Sequence, residues 1–184
     1  MNTANKLTLL RIIIVPFFMF FLMLDPTKPA YIITALVLFA AASLTDTLDG
    51  YIARHYNMIT NFGKFMDPLA DKMLTTAAFL GLMSFGRASA WAVMLILTRE
   101  FIVAGIRLVA AGEGTVIAAS IWGKMKTVFQ MVAIIAAIIM LLPVFPKETA
   151  ELITHILVWL SAAVTVVSGA DYVIKNIALF KEAK

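Results

Sequence analysis

Six apolar blocks, each close to the length that crosses a lipid bilayer, constrain everything else in this 184-residue chain. They run approximately over Thr8–Leu24, Tyr31–Ala53, Phe62–Phe85, Trp91–Ala111, Ile117–Leu142 and Leu152–Ile174. A spanning helix needs ~20 predominantly apolar residues, so each block is predicted to be one. The breaks "DPTKP", "FGRAS" and "PVFPKE" carry proline, glycine or charge, as short turns do, while "RHYNMITN" and "AGEGT" supply the other two connections. The expected fold is an all-α integral membrane bundle of six transmembrane helices, a single domain over residues 1–184.

Composition agrees. The chain is 62% hydrophobic and 14% charged, where a soluble domain carries about 25% charged residues. No basic run appears and the aromatic residues sit inside the apolar blocks, which argues against nucleic-acid binding. Without cysteine there is neither a disulfide nor a thiolate nucleophile. Lys6 and Arg11 ahead of an apolar block suggest a signal peptide, but no clean cleavage site follows and further spans do, so the block is read as the first span. With the N-terminus cytoplasmic, Lys6, Arg11, Arg54, Lys64, Lys72, Arg107, Lys124, Lys126, Lys175, Lys181 and Lys184 share one side. Only Lys28, Arg87 and Lys147 face the other. That asymmetry predicts both termini cytoplasmic. The segment "NKLTLLRIII" is expected to lie partly in the interface, with Asn5 as N-cap.

Four aspartates break the apolar pattern: Asp46 and Asp49 near the cytoplasmic end of the second block, Asp67 and Asp71 in the first turns of the third. At about 100° per residue, Asp46, Asp49, Gly50 and Ala53 share one helix face, and Gly63, Asp67 and Asp71 make a stripe on the next. Small residues at Gly50, Ala53 and Gly63 allow the two helices to approach closely. Pro68 either bends the third helix by freeing the carbonyl of Lys64 or sits in its first turn. Each aspartate at mid-bilayer costs ~2.5–3.5 kcal/mol, so four facing lipid would cost on the order of 10 kcal/mol. The cluster is tolerable if it opens to cytosolic water and binds cations. Oxygen-only ligands select hard ions such as Mg²⁺, Mn²⁺ or Ca²⁺, and a pair of Mg²⁺ ions suits four carboxylates.

A second set is basic. Arg99 falls mid-span, and Glu100 beside it is expected on a different face, leaving the pair unneutralised locally. Arg107 lies two turns further toward the cytoplasm, and Lys124 and Lys126 open the fifth span from the same side. Together they make a basic wall able to hold a phosphate. Lys126 is equally readable as a snorkelling surface lysine, and Arg107 as a positive-inside anchor. Gln130, His155 and Asp171 are read as satisfied within or between helices, and Trp91, Trp122 and Trp159 as interfacial or packing residues.

Written out, the pattern Asp46-x2-Asp49-Gly50-x2-Ala53-Arg54-x8-Gly63-x3-Asp67-x3-Asp71 resembles the signature of the CDP-alcohol phosphotransferase family at every specified position. The flanking segments "NKLTLLR", "TREF" and "GKMKT" resemble the bacterial branch that condenses CDP-diacylglycerol with glycerol 3-phosphate. The resemblance implies that Asp46, Asp49 and Asp67 hold one metal ion and Asp46, Asp67 and Asp71 a second, either Mg²⁺ or Mn²⁺. It implies Asp71 as general base, and Asp49, Gly50, Ala53, Arg54 and Gly63 around the cytidine nucleotide. Arg99, Arg107 and Lys124 would bind the acceptor's phosphate, with Lys126, Asn5, Thr8 and Arg11 as further candidates. It also implies a homodimer in a bacterial inner membrane, its site facing the cytoplasm. Rivals keep the chemistry with inositol phosphate, serine or phosphatidylglycerol as acceptor. More distant ones are an intramembrane prenyltransferase and a divalent-cation transporter. The third span beyond Asp71 offers only Thr75, Thr76 and Ser84 as polar side chains, which fits a blind cavity better than a pore.

Overall fold

The structure, a computed structural model, describes residues 3–55, 61–112 and 120–176; the side chains of 3–5, 46–55, 61–65, 67, 68 and 111 lie outside the described set. Six helices follow one another: α1 (Thr3–Leu24), α2 (Pro29–His55), α3 (Asn61–Ser84), α4 (Ala90–Gly112), α5 (Ile121–Ile139) and α6 (Lys147–Lys175). No strand occurs among the described residues. By length and composition, Lys6–Leu24, Ile121–Ile139 and Lys147–Lys175 are apolar enough to cross a membrane, and Pro29–Thr45 is a shorter apolar helix. The charges that α3 and α4 carry, among them Asp71, Lys72, Arg99, Glu100 and Arg107, are the functional candidates.

Local chemistry sets the ends. Asp25 accepts hydrogen bonds from the Thr27 hydroxyl at 2.6 Å and the Thr27 amide at 3.0 Å, closing the turn into α2. The Thr27 hydroxyl bond above all holds the Asp25 carboxyl below its ordinary range. Gly86 adopts a left-handed φ of 69°. There its amide reaches the Met83 carbonyl and the Arg87 amide the Leu82 carbonyl, a Schellman stop for α3. Ser120 caps α5, its hydroxyl accepting from the Gly123 amide at 3.1 Å. That cap places the start of α5 at Ile121 rather than at the first apolar residue, Ile117. Pro146 likewise opens α6 at Lys147, with Glu148 in its first turn, well before Leu152. Helix α1 already runs from Thr3, so Asn5 is inside it and not its N-cap.

Helix α1 packs most extensively against α2 and against α3, α5 against α6, and α4 against α6. The main core joins Phe18 and Leu22 of α1 to Phe39 of α2, Phe79 of α3, Ile96 of α4, Ile138 of α5 and Val158 of α6. Phe18 and Phe39 meet with ring centroids 5.6 Å apart. Gly81 brings α3 close to α1: a Cβ there would stand 2.5 Å from Leu22 Cδ2. The outer faces are apolar, with Phe17, Val37, Phe101, Leu108, Leu152 and Ile174 all more than half exposed. A bundle apolar inside and outside is a membrane bundle. At one end, His155 Nε2 lies 3.1 Å from the Gly86 carbonyl and Arg87 pairs with Glu151 at 3.8 Å, tying the α3–α4 turn to α6. Ionisable groups of the site gather in the opposite half.

Candidate active site

The α2–α3 hairpin positions the aspartates. Helix α2 ends at His55 and α3 begins at Asn61, a connection too short for anything but antiparallel neighbours, and the two helices touch. Asp49 lies six residues before the end of α2 and Asp67 six residues after the start of α3. At 1.5 Å per residue both sit about 9 Å from the hairpin, while Asp46 and Asp71 sit about 14 and 15 Å from it. Four acidic positions therefore share one narrow layer of the bundle. The side chains of Asp46, Asp49, Gly50, Ala53, Arg54, Gly63 and Asp67 lie outside the described residues. Asp71 is partly buried. Since α3 runs continuously from Asn61, Pro68 is interior to it; it cannot donate to the Lys64 carbonyl, which decides between the two readings of that proline. Past Asp71, Thr75 bonds back to the Asp71 and Lys72 carbonyls and Ser84 to the Gly81 carbonyl. The helix's own backbone thus takes up these hydroxyls on the way to the far side.

The basic residues come from α4 and α5 and are met by polar side chains of α6. The Arg99 guanidinium on α4 donates through Nη1 to Glu100 Oε1 at 3.0 Å and through Nη2 to the Ser168 hydroxyl on α6 at 2.7 Å. Lys126 Nζ on α5 reaches the same Glu100 oxygen at 2.6 Å. Two expectations are corrected here. Arg99 and Glu100 do pair: their backbone positions are about 100° apart, but two long side chains curl into the seam between α5 and α6 and meet there. Lys126 is not a snorkelling surface lysine, because its side chain is buried against Glu100. Arg107 is exposed and stacks over Tyr172, with Cζ 5.5 Å from the ring centroid and Nε donating to the Tyr172 hydroxyl at 3.3 Å.

Lys72, partly buried on α3 beside Asp71, interacts electrostatically with Glu100, Asp71, Lys126 and Arg107. It links the acidic hairpin to the basic wall. Lys124 is exposed on the first turn of α5. Thr8 and Arg11 are completely buried on α1. Gln130 meets Thr165 at 3.5 Å, the satisfied role expected of it. Asp171 pairs through Oδ1 with Lys175 at 2.7 Å, while its Oδ2 is buried without a hydrogen-bond partner among the described residues.

Ser168, Gly169 and Tyr172 are the participants that sequence reasoning missed. Their signal is a polar seam on α6: Thr154, Ser161 and Ser168, seven apart, interleave with Thr165, and all four are buried. Small and hydroxyl-bearing residues at such spacing mark a packed polar helix face in a membrane bundle. Gly169 admits the stem of Arg99, since a Cβ there would lie 2.7 Å from Arg99 Cγ.

Among the described residues of this cluster, four cations (Lys72, Arg99, Arg107 and Lys126) stand against two acids, Asp71 and Glu100. An excess of two positive charges in a partly buried polar cluster suits a dianion. The neighbouring acidic positions Asp46, Asp49, Asp67 and Asp71 are oxygen ligands by residue type, the kind hard divalent ions take. Among the described residues no group of three or more His, Cys, Asp or Glu side chains converges.

Acidic positions on one helical hairpin and a basic cluster drawn from α4 and α5, in a bundle apolar inside and outside, mark the class: a helical membrane protein with a charged polar layer. A family model described as CDP-alcohol phosphatidyltransferase matches residues 1–167. The chain is 43% identical over 186 residues to the CDP-diacylglycerol–glycerol-3-phosphate 3-phosphatidyltransferase of Bacillus subtilis (strain 168), covering 95% of each. It is 42% identical over 174 residues to a probable phosphatidylglycerophosphate synthase of Mycobacterium tuberculosis (strain ATCC 25618 / H37Rv), covering 94% of this chain and 80% of that one. A relative in Rickettsia bellii (strain RML369-C), with the same printed name as the Bacillus protein, is 34% identical over 175 residues and 93% of each chain. The chain belongs to the CDP-alcohol phosphatidyltransferase family.

Proposed function

We propose that this enzyme transfers the phosphatidyl group of CDP-diacylglycerol to glycerol 3-phosphate, giving phosphatidylglycerophosphate and CMP. The observation that carries the acceptor is the two-charge cationic excess around Arg99, Arg107 and Lys126, set against Asp71 through Lys72. A phosphate monoester is a dianion and matches it. Serine carries no phosphate and phosphatidylglycerol carries only a singly charged diester, whereas inositol phosphate is the same kind of dianion and is set aside on the names of the relatives. The names of the relatives in Bacillus and Rickettsia support the same donor and acceptor.

Asp46, Asp49, Asp67 and Asp71 would hold one or two divalent ions, Mg²⁺ or Mn²⁺, in keeping with a family that is generally metal dependent. When bound, such ions neutralise diphosphate charge and lower the barrier to displacement. The chain's own residues do the rest. Arg99, Arg107 and Lys124 hold the acceptor phosphate, with Lys126 beside them. Asp71 takes the proton of the acceptor hydroxyl as its oxygen attacks the phosphorus bearing diacylglycerol. The bond from that phosphorus to the CMP oxygen breaks, and CMP leaves. Gly50, Ala53 and Gly63 leave room for the cytidine, with Asp49 and Arg54 against it. The apolar flanks of the bundle let the acyl chains stay in the bilayer while the headgroup enters the polar layer. The site faces the cytoplasm of a bacterial inner membrane, and the enzyme works as a homodimer.

The test follows CMP release by purified protein in detergent–lipid micelles with Mg²⁺ and CDP-diacylglycerol, offering glycerol 3-phosphate, inositol phosphate, serine or phosphatidylglycerol. Release with glycerol 3-phosphate alone, falling at least about a hundredfold in Asp71→Asn, is the expected result. Equal release with serine would overturn the acceptor assignment, and full activity in Asp71→Asn would overturn the base.

A further inference from the structure

We propose that Glu100 is a positioning residue for the acceptor site: one carboxylate draws Arg99 and Lys126 to a common point so that their remaining donors face one anion. The inference rests on the phosphate-acceptor reading above. Three observations carry it. A single oxygen, Glu100 Oε1, serves both cations, at 3.0 Å to Arg99 Nη1 and 2.6 Å to Lys126 Nζ. All three side chains are nearly buried, at 8 to 14% exposure, so these bonds act with little screening by water. The Arg99 guanidinium is fixed at its other terminal nitrogen by Ser168, 2.7 Å away, and its stem lies over Gly169. With both terminal nitrogens engaged, Arg99 Nε remains buried without a hydrogen-bond partner among the described residues. A buried charged donor is costly to leave unmet, and an anion entering the cluster would meet it.

An acid in an anion site is otherwise a disadvantage, because it repels the ligand. Its presence is explained if it organises the cations. Two cations this near each other would separate without a shared counter-ion, and among the described residues the Lys126 ammonium is anchored by Glu100 alone. The carboxylate removes one positive charge from the cluster and leaves the excess that a dianion requires. The sign of the effect therefore separates a positioning role from a merely electrostatic one. If Glu100 only offset charge, its removal would tighten phosphate binding. If it positions, its removal weakens binding in spite of the added positive charge.

The experiment compares wild type, Glu100→Gln and Glu100→Asp. Steady-state CMP release is measured with CDP-diacylglycerol saturating and the acceptor varied, then the reverse. Glu100→Gln is expected to raise the KM for glycerol 3-phosphate on the order of ten- to a hundredfold while the KM for CDP-diacylglycerol stays within about twofold. Glu100→Asp, which keeps the charge, is expected to recover part of the loss. In parallel, the thermal midpoint of each protein is read with and without inorganic phosphate. Wild type is expected to be stabilised by phosphate and Glu100→Gln to lose that stabilisation, a readout that stands even where turnover with glycerol 3-phosphate fails. An acceptor KM or phosphate stabilisation in Glu100→Gln equal to or better than wild type would overturn the proposal. Wild-type stabilisation by phosphate without turnover on any phosphate acceptor would overturn the functional reading and leave the Glu100 comparison intact.

Discussion

Arg99 is a residue whose depth was legible in the sequence and whose partners were not. Its place near the middle of α4 marked it as functional, since an isolated mid-span arginine is expensive. Treating Glu100 as facing elsewhere rested on Cα positions alone, whereas the contact is made by side-chain ends. The hydroxyl seam of α6 marks Ser168 as part of a packed polar face, but nothing in the sequence pairs it with a residue 69 positions earlier. The geometry now gives a sharp expectation. Arg99 uses two nitrogens of a planar fork to bond Glu100 and Ser168 at once, and an ammonium on a shorter stem cannot span both. Arg99→Lys should therefore cost at least about tenfold in acceptor kcat/KM although charge is retained. Activity within twofold of wild type, measured against glycerol 3-phosphate, would show that charge alone suffices.

At the scale of the elements, all six helices follow from the apolar blocks, and the discrepancies sit at the ends. Hydropathy marks where a helix is apolar, and caps mark where it starts. Ser120 and Pro146 fix the starts of α5 and α6 away from the first apolar residues. The backbone positions of the four aspartates along α2 and α3 follow from the sequence, because a short connection and a fixed rise per residue leave little freedom, while the side chains of Asp46, Asp49 and Asp67 lie outside the described residues. What sequence does not reveal is which helices touch: α4 chooses α6 over its chain neighbours. The α1–α3 contact predicts its own sensitivity. Gly81→Ala would press a methyl into Leu22, which is 1% exposed and has nowhere to go, a cost of about 1–3 kcal/mol. Alanine's better helix propensity returns at most about 1 kcal/mol. Thermal unfolding in micelles should show a lowered midpoint for Gly81→Ala. Gly105→Ala, where a Cβ meets nothing within 4 Å, should be neutral or stabilising.

For the whole molecule, the asymmetry of lysine and arginine predicts which end faces the cytoplasm, and the absence of cysteine makes the prediction simple to read. Single-cysteine variants at Lys28 and Lys147 should react with an impermeant maleimide on intact cells, and a variant at Lys6 only after permeabilisation. The reverse pattern would invert the bundle and move the site to the outer face. The Arg99–Ser168 bond also has a temporal consequence. A ribosome adding ~5–20 residues per second takes roughly 3–14 s to travel from position 99 to position 168. Throughout that interval α4 has been made and the helix that receives its guanidinium has not. Until α6 arrives, the nascent α4 carries its buried arginine with only the neighbouring glutamate for company, a reason for it to wait at the insertion machinery or at the bilayer surface. The polar cluster around Arg99 is thus the last part of the bundle to be completed, and a chain truncated before α6 would be left with an arginine the membrane cannot absorb.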